Sequence, residues 1–128
     1  MTTIVFHSGC PDGWTAAWLA WNYYTDQGET PTLHPGVYGE PAPDFAGIAD
    51  ETVVIVDFSY PPSELVALCE RAESVIWLDH HASAIEAWDH HVSVGGKWPM
   101  NMKADLDLNR SGALITWDYF TTLTNAPG

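Results

Sequence analysis

Titratable side chains stand at the ends of three short apolar runs in this sequence of 128 residues. The runs end in His7, in Asp57 and in the triplet Asp79-His80-His81. Asp12 follows His7 after a short turn-forming segment and opens a predicted helix. Imidazole nitrogens and carboxylate oxygens suit Mn²⁺, Mg²⁺ or Fe²⁺, whereas a structural Zn²⁺ site would contain more sulfur. The residue types therefore predict a divalent-metal site, provided that they meet in space.

The elements that must position these residues follow from the hydrophobic pattern. The three runs, residues 4–6, 53–56 and 75–78, are typical of strands buried on both faces of a parallel sheet. Four helices are predicted, from Asp12 to about Gln27, from a cap at Ser63 to about 72, from Ala82 to about His90, and from an opening at Asn109 or Ser111. A weaker strand is predicted at Thr32 to Val37, and loops are predicted at Tyr38 to Asp50 and at Gly95 to Met100.

This alternation of strands and helices predicts an α/β fold with a doubly wound parallel sheet flanked by helices. Ligands of such sheets bind outside the carboxyl ends of the strands. We therefore expect His7, Asp57 and the 79–81 triplet to converge there, with Asp12 beside them. In the first helix, Trp14, Ala17, Trp18 and Trp21 share one stripe, which predicts a largely buried, tryptophan-rich helix.

Composition limits the classes of function. The chain has 17 acidic and 4 basic residues and a formal net charge of −13, which excludes a nucleic-acid binder of the basic-patch type. A phosphate-bearing substrate would need positive charge from another source, and a bound divalent ion would supply it. A hydrophobic content of 46% excludes a disordered tail, and the length predicts a single domain over 1–128.

The compartment is also predicted from the sequence. No apolar run approaches the ~20 residues of a membrane span, and the N-terminus lacks a signal-peptide pattern. The two cysteines, Cys10 and Cys69, do not form a disulfide framework, and Cys69 is predicted to lie in the core. We therefore expect a cytoplasmic protein without membrane partners, located in the host cytoplasm if a phage encodes it. The sequence gives no indication of oligomeric state.

Two other patterns are weaker candidates for chemistry. A second Asp-His-His occurs at Asp89-His90-His91, but it lies on a predicted helix instead of following a buried strand. Cys10 precedes the first helix and is a weak candidate for a thiol nucleophile.

The ordered set of motifs resembles the DHH phosphoesterase superfamily. The motifs are His7…Asp12-Gly13, Asp57-Phe58-Ser59 and Asp79-His80-His81, each following a strand. The segment Asn109-Arg110-Ser111-Gly112-Ala113 is similar to one found in small phage and bacterial members. The resemblance covers nearly the whole chain, but without the smaller C-terminal substrate-binding domain that is common in the family.

This resemblance implies hydrolysis of phosphodiester or phosphomonoester bonds in nucleotides or short single-stranded oligonucleotides by metal-activated water. It implies one or two Mn²⁺ ions, with Mg²⁺ or Co²⁺ as alternatives. By position, His7 and Asp12 would hold one ion, Asp57 would bridge, and His80 would bind the second. His81 would face the phosphate, Asp79 would orient a histidine, and Arg110 would contact phosphate.

The chain also departs from the family pattern. Family members usually have two aspartates in the first motif, separated by one residue, whereas this chain has only Asp12, and Cys10 or Trp14 takes the other position depending on the alignment. Family members also carry a later aspartate ligand, commonly beyond the segment that resembles Arg110 to Phe120, for which Asp105, Asp107 and Asp118 are local substitutes here. Two alternatives therefore stay open, a catalytically decayed nucleotide- or phosphate-binding module and a structural domain whose acidic face docks a basic protein.

Overall fold

A computed structural model describes residues 1–42 and 48–125 of the chain. These residues form five strands, four α-helices and one 3₁₀ turn. In chain order the elements are β1 (Thr2–His7), α1 (Pro11–Asp26), β2 (Thr32–Gly36), the 3₁₀ turn (Ile48–Asp50), β3 (Thr52–Val56), α2 (Pro62–Arg71), β4 (Ser74–Asp79), α3 (Ala82–Ser93), β5 (Met102–Leu106) and α4 (Gly112–Asn125).

All neighbouring strands of the sheet are parallel, in the order β2-β1-β3-β4-β5. Alternate residues of each central strand face opposite sides of the sheet, as the pleat requires. In β3, Val53 and Ile55 pack with α2 and α3, whereas Val54 and Val56 pack with α1 and α4. The predicted α/β fold, a parallel sheet with helices on both faces, is therefore confirmed.

The strand order explains where a ligand would bind. The chain runs outward from β1 to β2, then returns past β1 to continue through β3, β4 and β5. The direction of winding therefore reverses between β1 and β3, and ligands of such sheets bind at this reversal, beyond the carboxyl ends of the two strands. His7 is the last residue of β1, and Asp57 directly follows β3. The topology thus places these two side chains at the reversal point.

The prediction that tryptophans bury α1 is wrong. Trp14 and Trp18 are 53% and 62% exposed, and the buried face consists of small residues with one tyrosine: Gly13, Ala16, Ala17, Ala20 and Tyr24. Small side chains allow the helix backbone to lie close to the sheet, and a tryptophan on that face would force it away. Gly13 shows this closeness, because a Cβ atom there would lie 1.8 Å from the carbonyl oxygen of His7.

The helix and strand boundaries differ from the predictions in several places. Helix α2 begins at Pro62 after Pro61, without a side-chain cap, so Ser63 is not the cap. Strand β5 was not predicted, because only Met102 in it is buried and an edge strand lacks a continuous apolar run. Helix α3 runs three residues further than expected, to Ser93. Five residues of the predicted loop, 43–47, lie outside the described residues.

Other details agree with the sequence-based expectations. Helix α1 ends at Asp26, close to its predicted end at about Gln27, and Gly28 beyond it has a φ of +86°, a conformation that glycine adopts without strain. Ser111 precedes α4, and its Oγ accepts a hydrogen bond from the amide of Leu114 at 3.1 Å. Cys69 is buried. Within the described ranges no helix has both the length and the apolar character needed to cross a bilayer.

Candidate metal centre

Asp57 is the centre of a cluster of titratable side chains beyond the ends of β1, β3 and β4. Its carboxylate is fully buried, and its two oxygens face different partners. Oδ1 lies 2.8 Å from Nε2 of His80. Oδ2 lies 3.4 Å from Sγ of Cys10 and 4.0 Å from Nδ1 of His7. One buried carboxylate thus joins donor atoms from the first motif to donor atoms from the third.

The backbone of Asp57 is strained. Its φ is +52°, and it is the one non-glycine residue with positive φ in the described ranges. Aspartate tolerates this left-handed conformation better than most residues, but still at a cost. Such strain is concentrated at functional sites, where surrounding packing enforces it. Here the conformation turns the chain sharply at the end of β3, toward Phe58 and Ser59.

Burial raises the pKa of Asp57 above its ordinary value, and the nearby charge of Asp12 raises it further. Hydrogen bonds from Cys10 and His80 act in the opposite direction. Holding Asp57 as an anion therefore costs free energy in the metal-free protein. A cation bound next to this carboxylate would remove that cost.

Asp12 lies at the start of α1 and caps the start of α4. Its Oδ2 accepts a hydrogen bond from the amide of Gly112, and its Oδ1 accepts one from the amide of Ala113, both at 2.9 Å. These amides have no partner within their own helix, so Asp12 satisfies them as a cap from another element. Its Oδ2 also lies 3.3 Å from Nε2 of His80. Asp12 thus stands on the His80 side of Asp57, whereas the sequence-based assignment grouped it with His7.

Asp79 and His81 form a second, connected pair. Oδ1 of the fully buried Asp79 lies 2.6 Å from Nδ1 of His81 and also accepts the amide of His80 at 2.8 Å. Its Oδ2 accepts a short hydrogen bond from the hydroxyl of Ser59, whose oxygen in turn accepts the indole N–H of Trp77 at 2.9 Å. If Nδ1 of His81 carries the proton, Asp79 fixes the imidazole with Nε2 free. This arrangement agrees with a role for Asp79 in orienting a histidine.

Two groups of side chains in the described ranges bring possible ligand atoms within 4.8 Å of one another. They are Asp57, Asp79, His80 and His81, and His7, Cys10 and Asp57. His7 and His80 lie near opposite oxygens of Asp57, whereas Asp12 belongs to neither group and lies next to His80. Metal binding by them stays a prediction.

The sequence left open whether Cys10 or Trp14 takes the position of the missing aspartate in the first motif. Its sulfur lies 3.4 Å from Nδ1 of His7. Trp14, the other candidate for the missing aspartate position, donates its indole N–H to the carbonyl of Ser8 and packs against Phe6. The signal in the sequence that pointed to Cys10 was its spacing, since it precedes Asp12 by two residues, as the first of the two aspartates does in the family motif.

Arg110 is held by three aspartates. Its guanidinium donates to Asp107, Asp105 and Asp118 at 2.7, 2.7 and 3.0 Å. The hydrogen bonds that Arg110 donates, first to Asp107 and then to Asp105 and Asp118, raise the pKa of Arg110. The pKa of Asp107 is lowered, chiefly by the amide of Asn109 and then by Arg110. These aspartates thus have a structural partner, and a phosphate contact by Arg110 stays a prediction.

Comparison with known proteins adds little to this geometry. No known family's sequence profile matches the chain. No solved structure matches it. The chain is 27% identical, over 128 aligned positions, to an uncharacterised protein of Acanthamoeba polyphaga mimivirus. The alignment covers 91% of this chain, and the chain spans about 28% of the length of that viral relative.

Proposed function

We propose that this chain is a divalent-metal-dependent phosphoesterase of the DHH type, acting on nucleotides or short single-stranded oligonucleotides. The observation that carries the proposal is the buried carboxylate of Asp57, whose two oxygens face two separate sets of donors. A carboxylate that bridges two cations needs this arrangement. The ordered motifs described above support the same assignment.

The side chains of this cluster are better suited to binding cations than to pairing only with one another. Asp12, Asp57 and Asp79 lie together, and the partners described for their carboxylates are histidines, a thiol, a hydroxyl and backbone amides. None of these partners carries a permanent positive charge, so the three carboxylates lack a fixed counter-charge. A divalent ion would supply the missing charge.

Each residue then has a defined task. His7, Asp57 and His80, with Asp12, hold the cation or cations. When bound, such an ion polarises the phosphoryl group and lowers the pKa of a water molecule. Asp79 holds the Nδ1–H of His81, so that Nε2 faces the phosphate, and with a proton on Nε2 as well His81 would donate a hydrogen bond to a phosphate oxygen or a proton to the leaving group.

A cavity next to His81 supports a substrate that carries a nucleoside. Its volume is about 400 Å³, and its walls include Tyr38, Phe58, Tyr60 and His81. Tyr38 stacks on Phe58, with ring centroids 4.5 Å apart, and one half of Tyr38 is exposed. Burial, followed by the charges of Asp79 and Asp57, raises the pKa of Tyr38 to about 12, so its phenol is neutral at physiological pH. A neutral aromatic ring beside a phosphate site is suited to stacking with a base.

The charge of the chain favours short substrates over long ones. A net charge of −13 repels a polyanion such as a long nucleic acid, and this repulsion grows with the number of phosphates. A mononucleotide or dinucleotide carries few charges and can be bound locally by cations.

The direct test is hydrolysis of a dinucleotide in the presence of Mn²⁺, Mg²⁺ or Co²⁺. We expect release of mononucleotides that stops when a chelator is added and that is lost in His80→Ala. His90→Ala is the matched control, because the triplet Asp89-His90-His91 in α3 repeats the same residue types away from the sheet end, and His90 is exposed. No hydrolysis of any of several phosphoesters would contradict the proposal. Tight nucleotide binding without turnover would instead favour the decayed binding module.

The Tyr38→Ala variant tests the base-stacking cavity. We expect KM for a dinucleotide to rise by roughly 5- to 150-fold, since stacking on an aromatic side chain contributes about 1–3 kcal/mol per base. Hydrolysis of a phosphoester without a base, such as glycerol phosphate, should be unchanged. Tyr38→Phe keeps the ring and should resemble the wild type. An equal loss with both substrates would show that Tyr38 does not contact the base.

A further inference from the structure

We propose that Cys10 is a metal ligand and that, because of its sulfur, the two sides of Asp57 offer different sets of ligand atoms. The side formed by His7, Cys10 and Oδ2 of Asp57 offers one nitrogen, one sulfur and one oxygen. The side formed by His80, Asp12 and Oδ1 of Asp57 offers nitrogen and oxygen only. This inference rests on the proposed function, because it requires Asp57 to bind cations.

The distances on the Cys10 side are those of atoms that could share one ion. Sγ of Cys10 lies 3.4 Å from Nδ1 of His7 and 3.4 Å from Oδ2 of Asp57. In a tetrahedral site, bonds of ~2.3 Å to sulfur and ~2.0 Å to nitrogen or oxygen place neighbouring ligand atoms about 3.3–3.6 Å apart. The third separation, from His7 to Asp57, is longer at 4.0 Å, and a rotation of the partly exposed His7 ring can shorten it.

The local chain conformation brings the thiol to this place. Cys10 directly precedes α1 in extended conformation, with φ −147°, and Pro11 starts the helix after it. Gly9 permits the ring of His7 to fold back over the turn, since a Cβ there would lie 3.0 Å from Nε2. Gly13 lets the start of α1 touch the end of β1. The turn thus presents Sγ of Cys10 and Nδ1 of His7 to the same oxygen of Asp57.

A thiolate changes which ion the site prefers. Sulfur favours Zn²⁺, Co²⁺ and other borderline ions, whereas carboxylate and imidazole together accommodate Mn²⁺ and Mg²⁺. We therefore expect the Cys10 side to take Zn²⁺ or Co²⁺ in preference to Mn²⁺, and the His80 side to take Mn²⁺. Coordination replaces the S–H bond by a metal–sulfur bond, and the thiol proton passes to solvent.

Co²⁺ is the probe that tests this assignment, because a thiolate bound to Co²⁺ gives a charge-transfer band in the near ultraviolet. Titrating the metal-free protein with Co²⁺ should produce this band in the wild type and in Cys69→Ala, whose thiol is buried on the other face of the sheet with α2. In Cys10→Ser the band should be absent, while the visible Co²⁺ absorption and the thermal stabilisation by Co²⁺ persist through the remaining ligands.

The outcomes separate the two proposals. If the wild type binds Co²⁺ without a thiolate band, or if Cys10→Ser retains the band, Cys10 is not a ligand. The proposal that Asp57 and its neighbours bind a metal would then still stand. If the wild type binds no Co²⁺, Mn²⁺ or Zn²⁺ at all, both proposals fail.

Cys10→Asp provides a second, independent measurement. It replaces sulfur by a carboxylate and should reduce the ratio of Zn²⁺ to Mn²⁺ affinity at least about tenfold. Losing a residue that only hydrogen-bonds to a metal ligand already lowers metal affinity by about that factor, and losing a ligand should cost no less. An unchanged ratio would contradict the inference.

Discussion

Replacing Asp57 by asparagine should abolish the stabilisation of this protein by metal ions and leave the metal-free fold at least as stable as the wild type. The carboxylate is fully buried, its pKa is raised by burial and by Asp12, and no ion offsets its charge in the metal-free state. Asparagine has nearly the same shape and tolerates the positive φ at this position. We expect the free energy of unfolding of the metal-free variant to be unchanged or about 1 kcal/mol higher.

The wild type should respond differently when Mn²⁺ is added. An ion that binds only the folded state contributes about 2.7 kcal/mol when its concentration is 100 times its dissociation constant. Thermal unfolding with and without Mn²⁺ therefore measures the effect directly, and the variant should show no shift. Hydrolysis of a dinucleotide should also fall to background, since the amide oxygen and nitrogen cannot replace a bridging carboxylate.

Asp89→Asn is the control for this substitution. Asp89 is exposed on α3 in the second Asp-His-His, so the variant loses one negative charge without changing the sheet end. It should keep the full response to Mn²⁺. A large loss of stability in metal-free Asp57→Asn would mean that the ionised carboxylate stabilises the fold. A retained Mn²⁺ response would mean that Asp57 is not a ligand.

The convergence of the candidate site residues could be predicted because it depends on the direction of the strands. β1, β3 and β4 are continuous apolar runs, and parallel strands end at the same edge of a sheet. His7, Asp57 and Asp79 had to meet once those runs were assigned as parallel strands. The strand order then adds the reversal of winding between β1 and β3, which the apolar runs do not specify.

The buried face of α1 could not be predicted from hydrophobicity alone, because the helix is apolar on more than one side. Trp14 and Trp18 carry more apolar surface than Ala16 and Ala20, yet the alanines are buried. The deciding quantity is the distance between the helix and the sheet. That distance is set by the contact of Gly13 with the end of β1, which involves residues of different elements.

The detailed contacts of the site were equally inaccessible. Asp12 caps α4 from a position 100 residues earlier in the chain. Arg110 is engaged by three aspartates that lie within eight residues of it, which charge counting could suggest but not establish. The bond from Ser59 to Asp79 depends on where the chain turns after β3. Each of these contacts depends on how the elements pack against one another, and the hydrophobic pattern of the sequence does not specify that packing.

Gly112→Ala should destabilise the protein and displace the candidate metal centre together, although alanine favours a helix over glycine by up to about 1 kcal/mol. Gly112 is the buried first residue of α4, and a Cβ there would lie 2.6 Å from both Cβ and Oδ1 of Asp57. Asp57 cannot retreat, because its backbone is fixed at the end of β3. Overpacking at such a contact costs about 1–3 kcal/mol, so we expect a net loss of stability by chemical denaturation.

The same substitution moves Asp12, because its Oδ2 accepts the amide of Gly112. A shifted α4 would therefore change the distances from Asp12 and Asp57 to His80, and Mn²⁺ should stabilise the variant less than the wild type. Gly96→Ala is the control, since the three atoms nearest to a Cβ there all belong to the end of the His91 side chain, which can rotate away. If Gly112→Ala is as stable as the wild type and keeps its full Mn²⁺ response, the close packing of α4 on Asp57 does not determine the geometry of the site.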